Sequence, residues 1–150
     1  MPSNETADFH EYHLQNVMDV ILKKGDLYHE IVFVKGGRRQ VMILVPFGPT
    51  RAIQAAAQAI SVADRSDIMS MASLVWTKRY DSPPEDYEYG DVARASDKRE
   101  LLVVSTVDNT GKRYSSFREV IRHGSDVTLR EVESDIPLDE IALALTGVPT

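Results

Sequence analysis

The stretch YHEIVFVKGGRRQVMILV, residues 28–45, decides the fold, because two β-rich runs flank a pair of glycines. Gly36 and Gly37 supply the positive φ angles that a tight primed turn requires, so the stretch predicts a β-hairpin. The second run is apolar on both faces from Val41 to Val45. That pattern favours a strand inside a sheet with both sides covered.

Helical periodicity is found before the hairpin and again further along the chain. Apolar residues at helical spacing predict a helix over residues 7–24, which Gly25 ends. The alanine-rich sequence RAIQAAAQAISVADR, residues 51–65, predicts a second helix that packs closely on the sheet. IPLDEIALALTG, residues 136–147, predicts a short C-terminal helix.

The remaining regular segments predict strands, because apolar and polar residues alternate along them. These segments are residues 68–79, 100–108, 112–123 and 127–133. The predicted fold class is therefore α+β. It comprises one mainly antiparallel twisted sheet of five to six strands, two helices on one face, and a short C-terminal helix, in the order α-β-β-α-β-β-β-β-α. No linker separates two cores, so residues 1–150 are predicted to form a single domain.

Composition and charge exclude several classes of site. The chain has no Cys, which excludes disulfides, thiolate zinc sites and cysteine nucleophiles. The net charge is −6, and the acids gather in stretches without Lys or Arg, which argues against a nucleic-acid partner. The polar, acidic start does not resemble a signal peptide, and the apolar runs fall far short of the ~20 residues of a membrane span. These features predict a cytoplasmic protein with no membrane partner.

One segment combines acidity with aromatic residues. YDSPPEDYEYGD, residues 80–91, carries five acids and three tyrosines but no Lys or Arg, and it lies in a predicted loop over residues 80–98. Long loops in compact domains are usually functional or disordered. The rings pack this loop against the sheet edge in one interpretation. In another, the loop recognises a basic or amphipathic partner, and a third is regulation by tyrosine phosphorylation. The candidate interaction residues are Tyr80, Glu85, Asp86, Tyr87 and Tyr89.

His10 and His13 are the candidate metal ligands, because a spacing of three places both on one helix face about one turn apart. The sequence HEYH differs from the HExxH motif of metalloproteases. A site needs a third ligand from elsewhere, such as His29, Asp26 or His123. The alternative is a pair of solvated or lightly packed surface histidines. No other cofactor is predicted.

Four basic dipeptides fall at strand ends or turns, where charges protect sheet edges from pairing with other chains. They are Arg38-Arg39, Lys78-Arg79, Lys98-Arg99 and Lys112-Arg113. In a functional alternative, some of these cations converge on one anionic ligand. The two dipeptides that flank the acidic segment are expected to form ion pairs with Asp81, Glu85 or Asp86.

WTKRY, the acidic gap and DKRELLVVSTVDNTGK resemble a pattern found in short uncharacterised bacterial and phage proteins. The matching residues are Trp76, Arg99, Glu100 and Gly111, within residues 68–113. The resemblance implies no known activity and no catalytic residue.

The sequence shows no catalytic motif, so the leading hypothesis is a non-enzymatic protein-interaction or regulatory domain. It self-associates or binds a protein partner through a sheet edge, the first helix and residues 80–91. The alternative is a metal-dependent or small-molecule-binding enzyme with a site near His10 and His13. A third hypothesis is an acidic mimic of nucleic acid.

Overall fold

The computed structural model of the chain describes residues 4–44, 62–78, 85–86 and 91–132. Two helices and six strands lie with both ends in this part of the chain, and residues 62 and 63 are also helical. In order they are α1 (Glu5–Lys24), β1 (His29–Lys35), β2 (Arg38–Leu44), β3 (Ile68–Thr77), α2 (Asp91–Arg94), β4 (Arg99–Asp108), β5 (Arg113–His123) and β6 (Asp126–Glu131).

The six strands form one antiparallel sheet in the order β2-β1-β3-β4-β5-β6. β1 pairs with β2 on one side, where Lys35 faces Arg38, and with β3 on the other, where Val34 faces Ile68. β2 and β6 are therefore the two edge strands of the described sheet.

The predicted hairpin is confirmed. Gly36 and Gly37 have φ angles of 55° and 78° and connect β1 directly to β2. Positive φ at both central residues is the requirement of a primed two-residue turn.

The predicted first helix is also confirmed, and it begins slightly earlier than expected. Asn4 caps its start, because the Asn4 side chain accepts a hydrogen bond from the Ala7 N–H. Gly25 ends it with a φ of 77°, and the Gly25 N–H donates to the Ile21 carbonyl at 2.8 Å. Lys23 and Lys24 complement the negative end of the helix dipole.

The predicted fold class is wrong. The described chain is mostly antiparallel sheet with one long helix, instead of two helices on one face and a third at the C-terminus. The strands lie close to where the alternating segments predict them: β3, β4 and β5 have 10, 10 and 11 residues, and together with the hairpin they make most of the described regular structure sheet. Residues 51–61 of the predicted second helix, and all of residues 136–147, lie outside the described residues.

The chain divides into two compact units. The first comprises Met1–Ser73 and Val103–Ser116, and the second comprises Leu74–Leu102 and Phe117–Thr150. The single-domain prediction stays a prediction. No helix in the described part of the chain is long and apolar enough to cross a membrane.

Candidate functional site

The first unit contains a buried row of polar side chains along α1. Thr6, His10 and His13 share the buried face of the helix with Leu14, Val17 and Ile21. This face therefore changes from polar at the helix start to apolar at its end. His10 and His13 are each only 3% exposed, so neither is a surface histidine.

His13 connects β1 to β3. Its Nε2 lies 2.7 Å from Oε1 of Glu30, and its Nδ1 lies 2.6 Å from the Ser70 hydroxyl. That hydroxyl lies 2.7 Å from the hydroxyl of Thr106 on β4. Both Ser70 and Thr106 are fully buried.

His10 continues the same chain of hydrogen bonds. Its Nδ1 lies 2.7 Å from the Thr106 hydroxyl, and its Nε2 lies 2.7 Å from the hydroxyl of Ser116 on β5. Five hydrogen bonds thus run without a break from Ser116 to Glu30. We call these six residues the histidine chain.

The Glu30 carboxylate sets the direction of every proton in the histidine chain. An ionised carboxylate only accepts hydrogen bonds, so Nε2 of His13 carries a hydrogen and donates it. In a neutral imidazole the other nitrogen is an acceptor, so Nδ1 of His13 accepts from the Ser70 hydroxyl. Ser70 has then used its only hydrogen, and it accepts from Thr106.

The same reasoning extends to the other end of the histidine chain. Thr106 donates to Ser70, so it accepts from His10, whose Nδ1 carries a hydrogen. Nε2 of His10 is then an acceptor for the Ser116 hydroxyl. With both imidazoles neutral, every hydroxyl and ring N–H of the histidine chain therefore points toward Glu30. No buried side-chain N or O among the described residues lacks a hydrogen-bond partner.

The histidine chain has the residue types of a hydrolase triad but not its accessibility. Glu30, His13 and Ser70 follow the acid–histidine–serine order that activates a serine nucleophile. A nucleophile must reach a substrate, and the Ser70 side chain is 0% exposed. The arrangement therefore serves to support α1 on the sheet.

The structure places the predicted metal ligands in the histidine chain. Both nitrogens of each imidazole already have a protein partner. His29, Asp26 and His123, the suggested third ligands, are exposed. The described residues contain no group of three or more metal-ligating side chains, and the metal site stays a prediction.

Asp108 fastens the start of α1 to the turn between β4 and β5. Its carboxylate accepts hydrogen bonds from the Thr6 hydroxyl at 2.7 Å, from the Thr110 hydroxyl at 2.6 Å and N–H at 2.9 Å, and from the Lys112 N–H at 3.0 Å. The Thr110 and Thr6 hydroxyls hold the pKa of Asp108 well below its usual range. Close by, the Asn4 amide donates to the Tyr114 hydroxyl at 2.6 Å.

A second feature of the first unit is an open cleft of about 750 Å³ beside the hairpin, which we call the basic cleft. Among the described residues, its lining includes the cations Lys35, Arg38, Arg39 and Arg65. The other described lining residues are Phe33, Gln40, Val62 and Ser66. The cleft thus combines a cationic rim with apolar surface.

The hairpin and the turn of residues 62–66 position these cations. Lys35 and Arg38 are direct cross-strand partners beside the glycine turn. Asp67 fastens the second segment to the hairpin, because its N–H donates to the Val34 carbonyl at 2.7 Å and its carboxylate accepts from the Gly36 N–H at 2.9 Å. The same carboxylate lies 3.8 Å from Nζ of Lys35.

Aromatic residues of α1 hold Arg39 in place. Its guanidinium carbon lies 4.5 Å from the centre of the Tyr12 ring and 5.4 Å from that of Phe9, both within cation–π range. Hydrogen bonds from Asn16 and Arg39, and the charge of Arg39, lower the pKa of Tyr12. Arg39 thus joins the exposed side of α1 to the rim of the basic cleft.

The basic dipeptides identified in the sequence make different contacts in the structure. Both members of Arg38-Arg39 line the cleft, with the Arg39 guanidinium against Tyr12 and Phe9, and their convergence on one anionic ligand stays a prediction. In the second unit, Nζ of Lys78 lies 3.4 Å from Asp97, and Nζ of Lys98 lies 4.4 Å from the centre of the Trp76 ring. The sequence did not predict these contacts.

The predicted interaction residues are described only in part. Glu85 and Asp86 are exposed residues of a turn. Tyr80, Tyr87 and Tyr89 lie outside the described residues. Asp91–Arg94, inside the predicted loop, forms the short helix α2.

No protein-family model, curated protein or solved structure matches the chain. The resemblance to short bacterial and phage proteins therefore stays a prediction.

Proposed function

We propose that this protein is a non-enzymatic binding module whose basic cleft holds a short acidic segment of a protein partner. The observation that carries the proposal is the position of three cations, Lys35, Arg38 and Arg65, around one open cleft beside an edge strand of the described sheet. His10, His13 and Ser70 of the histidine chain, in contrast, are buried and have hydrogen-bond partners.

The chemistry of the cleft suits carboxylates on an extended chain. A guanidinium presents a planar fork of donors that matches a carboxylate, and an ammonium adds a point charge. An extended peptide can also add to a sheet edge through backbone hydrogen bonds, and β2 is such an edge. Val62, which is half-buried, offers apolar contact to a side chain of the partner.

Charge and size favour a short acidic peptide over a nucleic acid. The protein carries a net charge of −6, so a long polyanion meets repulsion beyond the cleft. Nucleic-acid binding draws on a continuous track of phosphate contacts. The cleft of about 750 Å³ is in the range of sites that enclose one compact ligand.

The proposal is tested by fluorescence anisotropy with a labelled peptide of alternating Glu and Val. Lys35→Glu reverses a charge at the cleft and is expected to weaken binding about tenfold, equivalent to about 1.4 kcal/mol. Lys24→Glu, in the last turn of α1, makes the same change in net charge and is expected to leave binding nearly unchanged. Equal loss in both variants, or no binding by the wild type at a protein concentration where it is monomeric, would overturn the proposal.

A further inference from the structure

We infer that the acidic segment held in the basic cleft is residues 80–91 of a second copy of this chain. The inference rests on the proposed function and names its partner. The chain itself carries both halves of the interaction: a cleft lined by the cations Lys35, Arg38 and Arg65, and a segment with five acids and no Lys or Arg.

Exposure of the central acids makes them available to another molecule. Glu85 and Asp86 are both exposed in the structure. In the cleft, Lys35 and Arg38 face each other across the hairpin at the positions next to the turn. Side chains of directly opposed residues lie about 5 Å apart, so these two cations are close enough to bind two adjacent carboxylates.

The other residues of the segment fit the remaining surface of the cleft by their chemistry. Tyr87 and Tyr89 supply rings that suit contact with arginine faces. A proline has fewer backbone conformations to lose than other residues, so Pro83 and Pro84 lower the entropy lost when the segment is ordered on binding.

A closed dimer follows from this pairing when it is reciprocal. In a two-fold dimer each copy offers one cleft and one segment, so the same contact is made twice. Opposite charges brought together at both contacts offset the repulsion between two molecules of net charge −6.

Charge reversal provides a complementation test by size-exclusion chromatography with light scattering. The cleft variant carries Lys35→Glu and Arg38→Glu, and the segment variant carries Glu85→Lys and Asp86→Lys. We expect the wild type to be a dimer and each variant alone to be a monomer. An equimolar mixture of the two is expected to restore the dimer mass, because each reversed surface then meets its opposite.

A control variant with Lys23→Glu and Lys24→Glu undergoes the same change in net charge as the cleft variant and is expected to stay a dimer. Circular dichroism verifies that each variant is folded. A wild type that is monomeric at high concentration, a cleft variant that stays dimeric, or a mixture that stays monomeric would each overturn the inference.

Peptide binding separates this inference from the proposed function. The labelled peptide YDSPPEDYEYGD is expected to bind the folded segment variant, and the amide form YNSPPQNYQYGN at least tenfold more weakly. A monomeric wild type that binds the Glu–Val peptide in a Lys35-dependent manner contradicts the second copy as partner and keeps the proposed function. Failure of both peptides to bind contradicts both.

Discussion

At the scale of single residues, the hydrogen-bond partners in the histidine chain imply a specific arrangement of protons. Because Glu30 can only accept, neutral His13 must carry its hydrogen on Nε2, and neutral His10 must carry its hydrogen on Nδ1. The two imidazoles are therefore expected to be opposite tautomers, although they belong to the same helix.

Nitrogen-15 NMR of the imidazole rings at neutral pH tests this assignment. Protonated and unprotonated ring nitrogens have well separated chemical shifts, so each tautomer can be identified. We expect a protonated Nδ1 in His10 and a protonated Nε2 in His13. Identical tautomers in the two rings would contradict the proton order.

Removal of a hydroxyl at the centre of the histidine chain is expected to lower the free energy of unfolding more than removal at its ends. Thr106→Val keeps the side-chain shape but leaves Nδ1–H of His10 without its acceptor and removes a donor to Ser70. A buried group left without its partner costs about 1–3 kcal/mol, and we expect the free energy of unfolding to fall by that amount. Urea denaturation measures it.

Ser105→Ala is the matched control for this substitution. Ser105 is the next residue of β4, and its hydroxyl lies 3.4 Å from that of Ser115 in an exposed position. A change within about 0.5 kcal/mol is expected there. If Thr106→Val were equally mild, the histidine chain would contribute nothing to stability.

The sequence contains a signal for part of the histidine chain. His10 is in helical phase with Leu14, Val17 and Ile21, and that phase places it on the buried face. The partners could not be deduced in the same way. Ser70, Thr106 and Ser116 come from three different strands, and only the strand order brings their hydroxyls together.

At the scale of elements, the hairpin is the part of the fold that local chemistry specifies most completely. Two glycines between β-rich runs predict the turn, and the turn brings Lys35 opposite Arg38. The basic cleft needs one further cation, Arg65, which comes from a turn distant in sequence. No local pattern predicts that approach, so the dipeptide Arg38-Arg39 alone left edge protection and an anion site as alternatives.

Gly37 provides a direct test of the hairpin. Its φ of 78° is a left-handed conformation, and a Cβ added there meets nothing within 4 Å, so the cost of a side chain is conformational. Gly37→Ala is expected to lower the free energy of unfolding by about 1–2 kcal/mol. Thermal denaturation followed by circular dichroism measures the change.

Gly37→Asn separates backbone conformation from other effects of adding a side chain, because Asn tolerates positive φ better than Ala. We expect it to retain more stability than Gly37→Ala. If Asn were the more damaging of the two, the conformational explanation would be wrong.

The error in fold class also belongs to the scale of elements. Helix periodicity and strand alternation located α1 and the hairpin because each is recognised from nearby residues. The strand segments were also located, and β5 at Arg113–His123 lies within one residue of its predicted bounds. The error lies in the arrangement of helices around the sheet, which depends on packing between segments distant in sequence and is not specified by local periodicity.

At the scale of the whole molecule, each compact unit contains a carboxylate whose pKa is lowered. In the first unit it is Asp108, with its four hydrogen bonds. In the second unit it is Glu119, which is buried and accepts from Arg99 and Arg130. The hydrogen bond from Arg99 is the main cause of the lowered pKa of Glu119, and its charge adds to the effect.

These two carboxylates predict how stability depends on pH. A lowered pKa means that the folded protein binds fewer protons than the unfolded chain at acid pH, so the free energy of unfolding rises with pH in that range. The stabilisation is fully present above the unfolded pKa values, near pH 4, and is lost as the pH falls below them. Urea denaturation from pH 7 down to pH 3 should show this loss.

Asp108→Asn and Glu119→Gln should each lower the free energy of unfolding at pH 7 and reduce its fall toward pH 3, and the double variant should reduce that fall further. Glu11→Gln, at an exposed position of α1, removes one acid without removing any of these hydrogen bonds and serves as the control. Variants that keep the full wild-type slope would show that these two carboxylates do not cause the acid sensitivity.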